Sequence, residues 1–203
     1  MSKWFMILVP TVLAAVVLGA CGGSGNDSNS VGNEADAAFV ADMIPHHQGA
    51  VMMATMAQQR AEHPELKALA NNIIAAQEKE IAEMETLQGD LPEVGTDGSG
   101  SMSMGEDHMG HAGMDAETMG MDMDPSALKN ADSFDLAFID MMIPHHEGAV
   151  EMAQALLEDG KNPQLQAMAR AVIASQTAEI ETMKKWRQEW SNQQTAAKAG
   201  AQE

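Results

Sequence analysis

The eleven residues "MIPHHQGAVMM" at 43–53 return ninety-nine positions later as "MIPHHEGAVEM" at 142–152. Aligned at that offset without a gap, residues 39–84 and 138–183 are identical at 21 of 46 positions. The matches include Phe39/Phe138, Pro64/Pro163, Gln77/Gln176, Glu80/Glu179 and Met84/Met183. A segment written twice gives two like halves. Two copies make a closed pair rather than an extended array.

Each copy has helical periodicity. Phe39, Met43, His46, Ala50, Met53 and Ala57 recur at spacings of four and three, as do Phe138, Met142, His145, Ala149, Met152 and Leu156. A break follows in each copy, and Pro64 and Pro163 suit the first turn of a returning helix, where no amide donor is missed. The returning helices are expected over about 65–88 and 164–190. Pro45 and Pro144 fall inside the first helix of each copy, which predicts a kink or a late start there. Two hairpins with one apolar face each bury those faces against one another. The expected fold is therefore all-α, a four-helix bundle, with hairpins 34–90 and 132–190 and a polar tail at 191–203. The connection at 91–131 is long enough for a crossover from one end to the other, but simple up-and-down topology fits the pattern as well.

Residues 1–20 stand apart. One Lys, an apolar run from Trp4 to Leu18 and then Gly19-Ala20 read as a secretory signal, to be set aside from the fold. The only cysteine, Cys21, follows in the Leu-small-small-Cys order of a bacterial lipoprotein signal. The expectation is lipidation at Cys21, with 21–33 a Gly/Ser/Asn tether; an ordinary signal leaving a free thiol is the alternative. That places the protein outside the cytoplasm, touching a membrane through its lipid alone. Acidic residues outnumber basic ones 30 to 11, a net charge of −19, which argues against nucleic-acid phosphate as a partner.

The remaining oddity is 19 methionines in 203 residues. On the first helix of each copy, Met43 lies three and four residues from His46 and His47, and Met142 stands likewise to His145 and His146, within reach on a helical surface. Met53 and Met152 lie two turns further along the same faces. The returning helices bring back Gln77, Glu80 and Met84, and Gln176, Glu179 and Met183, on one face each. Met84 and Met183 are candidate ligands; Gln77, Glu80, Gln176 and Glu179 are candidates to orient the imidazoles through the ring nitrogen that does not bind metal. The crossover holds Met102, Met104, His108, Met109, His111, Met119, Met121 and Met123 among Gly, Asp and Ser, a composition with no core to build. Thioether with imidazole suits Cu(I), and a Cu(II) state held by His and carboxylate is also open. Zinc would want Cys, His or carboxylate, and a di-iron bundle would want Glu-x-x-His, which occurs nowhere in the chain. A buried His with Met packing in a helical core, without metal, is the plainer alternative.

The Met-Ile-Pro-His-His-x-Gly-Ala-Val-x-Met-Ala blocks at 43–54 and 142–153, followed by Gln-x-x-Glu-Ile-x-x-Met at 77–84 and 176–183, resemble the domain-of-unknown-function 305 family over roughly 34–190. The resemblance implies a secreted, ferritin-like helical bundle, and for some members periplasmic copper binding that aids copper tolerance. On the matching positions it extends the suspicion of metal binding to Met43, His46, His47, Met142, His145 and His146. The expected function is copper binding outside the cytoplasm: sequestering Cu(I), or exchanging it with a donor or acceptor protein, without catalysis. A copper-dependent oxidase and a metal-free interaction module are the alternatives.

Overall fold

The computed structural model describes residues 31–93 and 126–200. The signal, Cys21, most of the tether, the eight candidate ligands named between 102 and 123, and residues 201–203 lie outside the described residues. The described chain is helical: α1 (Glu34–Arg60), α2 (Pro64–Gln88), the single-turn α3 (Ser126–Lys129), α4 (Phe134–Asp159) and α5 (Pro163–Gly200). None of these helices is long and apolar enough to cross a membrane.

α1 opens on a reciprocal cap. The Asn33 side chain accepts from the Asp36 amide at 3.0 Å while the Asp36 carboxylate accepts from the Asn33 amide at 2.8 Å. Pro64 and Pro163 each begin a returning helix. The late start expected at Pro45 and Pro144 does not occur, because α1 and α4 begin about three turns earlier and run through both prolines. Each proline removes one amide, orphaning the carbonyl of Ala41 or Asp140. Those residues and the prolines themselves are exposed, so water can serve the freed carbonyls. α5 also runs on past 190, through the stretch expected as a tail. The apolar stripe stops near Trp190, but the following residues contain no proline, and their Ala, Gln and Lys sustain a helix.

Two buried carboxylates set the arrangement of the halves. Asp36, at the start of α1, accepts from the amides of Lys161 (2.9 Å) and Asn162 (3.1 Å) in the α4–α5 turn. Asp135, at the start of α4, accepts from the amides of Glu62 (3.0 Å) and His63 (2.9 Å) in the α1–α2 turn. Positions 36 and 135 differ by the repeat offset, as do 62–63 and 161–162, so each copy closes the other's hairpin. α1 and α4 are therefore antiparallel, as are the helices within each hairpin. α2 and α4 then run the same way, and the segment between them must pass from one end of the bundle to the other. Up-and-down topology is excluded; the crossover form is the one observed. α1 and α4 form the central seam, α2 and α5 flank them, and α2 barely touches α5.

The core divides into two clusters, one toward each end. One gathers Phe39, Val40, Met43, Met84, Met152, Leu156 and Leu165; the other gathers Met53, Leu66, Ile73, Phe138, Met142 and Met183. The histidines lie between them on the seam.

Candidate metal centre

His46 and His145 occupy equivalent positions of the two copies and meet across the seam, with ring centroids 3.8 Å apart and planes inclined at 38°. They sit on the pseudo-twofold axis. The two patches expected from sequence thus adjoin across the seam. Gly49 makes the approach possible: a Cβ there would lie 3.3 Å from His145 Nε2.

His47 and His146 form the wings, at centroid distances of 6.2 and 6.5 Å from their sequence neighbours. Each is fully buried and tied to the returning helix of its own copy. His47 Nε2 donates to Glu80 Oε2 at 2.7 Å, and His146 Nε2 donates to Glu179 Oε2 at 2.8 Å. A carboxylate can only accept, so the proton of a neutral ring sits on Nε2 and the lone pair on Nδ1. This is the outer-partner arrangement by which a carboxylate orients an imidazole for metal.

The other ring nitrogens are left over. Nδ1 of His47, His145 and His146 is buried without a hydrogen-bond partner, as are Gln77 Oε1 and both side-chain polar atoms of Gln176. The glutamates hold His47 and His146, whereas neither Gln77 Oε1 nor either polar atom of the Gln176 side chain bonds an imidazole. Each such orphan costs about 1–3 kcal/mol of desolvation, which packing alone gives no reason to retain. Burial and the neighbouring imidazoles His46, His146 and His47 together hold His145 well below the ordinary proton affinity of imidazole, burial being the larger cause. The ring is neutral, the form that can donate to a metal.

The methionines are distributed differently from the sequence expectation. Met43, Met84, Met142 and Met183 are fully buried, and Met53 and Met152 nearly so. Met53 was expected to serve the His46 patch of its own copy. Antiparallel packing instead puts it in the cluster of Met142 and Met183, while Met152 joins Met43 and Met84. Each end of the centre is thus flanked by thioethers of both copies. Among the described residues no three His, Cys, Asp or Glu side chains group closely enough to hold a metal by nitrogen and oxygen alone. What the seam offers is imidazole nitrogen with thioether sulfur, a donor set for a soft ion.

Sequence reasoning missed Asp36 and Asp135. Their signal was present, since both lie at the repeat offset three residues before the aligned block, but an acidic residue near a helix start looks like an ordinary dipole partner.

A comparison with curated proteins gives no match. Among solved structures, CopM in its Cu(II)-bound form is 42% identical, covering 76% of this chain and 97% of that one, with a TM-score of 0.62. CopM in its Cu(I)-bound form is 40% identical, covering 76% and 96%, with a TM-score of 0.60. A putative secreted DUF305 protein from Streptomyces coelicolor is 28% identical, covering 76% and 93%, with a TM-score of 0.65. The family model described as Domain of unknown function (DUF305) matches residues 36–200. That match runs from the first of the two cross-capping aspartates to the last residue of α5, and the chain belongs to the DUF305 family.

Proposed function

We propose that the protein binds copper outside the cytoplasm, holding it chiefly as Cu(I) at the α1–α4 seam, for sequestration or for exchange with a donor or acceptor protein. The observation that carries the reading is the set of buried, partnerless Nδ1 atoms on His47, His145 and His146, flanked by methionines that are almost wholly buried. His47 and His146 donate nitrogen, with Glu80 and Glu179 holding the rings. His145 places a neutral imidazole between them on the seam, and the thioethers of both copies favour the reduced ion. The likeness to CopM, solved with Cu(I), Cu(II) and silver, supports copper as the ion. Met102, Met104, His108, Met109, His111, Met119, Met121 and Met123 serve as an accessory capture segment, and a lipid on Cys21 holds the protein at a bacterial membrane. The role is binding, without turnover.

The test is an anaerobic competitive Cu(I) titration of the chain, of a version lacking 100–124, and of a version carrying His47→Leu with His146→Leu. Leucine keeps the seam filled, and circular dichroism checks the fold. Tight sites that survive the deletion and vanish with the His pair are the expected result. Tight sites that follow the deleted segment would move copper binding out of the bundle. Oxygen consumption by the loaded protein with a reductant would replace storage by oxidase chemistry.

A further inference from the structure

Ten methionines lie in the described residues, and seven of them are buried. The three that reach the surface are Met52, Met56 and Met141, with Met52 50% exposed. One exposed methionine is ordinary. These three, however, share one end of the bundle. Met52 and Met56 are one turn apart on α1, a spacing that makes them neighbours on the helix surface. Met141 lies on α4 between His145, which meets His46, and Asp135, which holds the turn after α1. The antiparallel register therefore brings Met141 level with that turn of α1. Met56 and Met141 both pack against the core cluster that contains Met53, Met142 and Met183.

The repeat supplies an internal control. The methionines that flank the seam from inside are duplicated, as Met43/Met142, Met53/Met152 and Met84/Met183. The three surface methionines are not: their equivalents at the other end are Glu151, Ala155 and Asp42. A half-exposed side chain buries little apolar area, so packing gives little reason for a thioether at position 52. Met141 supplies the link inward, because it stands four residues before His145 on the same face of α4. The series Met52, Met56, Met141, His145 runs from 50% exposed, through two partly buried side chains, to 3% exposed.

We propose that Met52, Met56 and Met141 form the port through which Cu(I) enters and leaves the seam, passed between thioethers and then to imidazole. The inference rests on the copper reading of the seam and names its route. Thioethers suit Cu(I), and each step exchanges one soft ligand for the next. The oxidation state does not change, so the transfer needs no electron donor or acceptor. Glu151, Ala155 and Asp42 offer no sulfur, so the traffic uses one end only.

Transfer kinetics test the port. The full chain is loaded anaerobically with substoichiometric Cu(I), and bathocuproine disulfonate withdraws the ion in a stopped-flow cell. Uptake is followed from the Cu(I)–bicinchoninate complex. The variant carries Met52→Leu, Met56→Leu and Met141→Leu, which keep side-chain volume, and circular dichroism checks its fold. Release and uptake should both slow by about tenfold or more at unchanged equilibrium affinity, because losing a stepping ligand raises the barrier in both directions. Met52→Leu alone, at an exposed position, should slow both in part. Unchanged rates at unchanged affinity would overturn the port and leave the seam site standing. Lost affinity in the triple variant would make these methionines holding ligands and would also overturn it. Tight binding that persists in the His47→Leu, His146→Leu version would take copper away from the seam, and both readings would fall.

Discussion

A neutral imidazole enclosed on all sides resists protonation, and His145 shows the consequence. Its proton affinity is held low by burial first and by three neighbouring imidazoles second. The unfolded chain protonates this residue near the ordinary value of about 6.5, and the folded chain only well below it. The sign follows: stability from this ring is complete above about pH 6.5 and is lost as pH falls beneath that value toward the folded one, at up to about 1.4 kcal/mol per pH unit. Melting of the copper-free protein should therefore fall on acidification below neutrality, and the slope should be shallower in His145→Leu. Gly49→Ala tests the same ring by another route. The added methyl would stand 3.3 Å from His145 Nε2, so it should weaken Cu(I) binding in a competitive titration while leaving the chain folded. The histidine pairs and their glutamates were readable from sequence, because 47 to 80 and 146 to 179 are the same separation in both copies and fall on facing helices. The meeting of His46 with His145 was not readable. Intrahelical spacing says which face a residue occupies but not which residue of another helix it will meet.

At the scale of elements, the hairpins hold together through side-chain oxygens that close the other copy's turn. Asp36 serves the amides of Asn33, Lys161 and Asn162, and removing its carboxylate leaves all three without that acceptor. Asp36→Ala should cost about 3 kcal/mol or more in urea unfolding, with Asn162→Ala, which removes only a cap, costing about 1 kcal/mol. Equal costs would mean that the cross-caps do not hold the halves together. Element existence was easy to read and element ends were harder. The returning helix of the second copy was expected to stop near 190 because its apolar stripe stops there, yet α5 continues to Gly200 on helix propensity alone. A late start at Pro45 and Pro144 was likewise expected, and α1 and α4 instead run through both. A proline on the solvent face costs a helix one hydrogen bond, and the exposed carbonyl it frees is open to water.

For the whole molecule, antiparallel packing brings the two copies of the duplicated motif together at one seam. Met53 belongs with Met142 and Met183, and Met152 with Met43 and Met84, an exchange across the seam that no single copy's sequence announces. Coupling should therefore run across the copies. In Cu(I) affinity, Met53→Leu and Met142→Leu should interact by about 0.5–3 kcal/mol in a double-mutant cycle, whereas Met53→Leu and Met43→Leu should add to within about 0.5 kcal/mol. Leucine keeps the volume, so the fold should survive each change. The reverse pattern would restore two independent sites, one per copy. The central claim is that copper lies on the seam between α1 and α4, and anomalous diffraction from crystals of the Cu(I)-loaded protein at the copper edge tests it most directly. The account predicts anomalous density between the helices, against Nδ1 of His47 or His146 and the sulfur of a buried methionine. Density confined to residues 102–123 or to the outer surface, with the seam histidines unchanged, would contradict it.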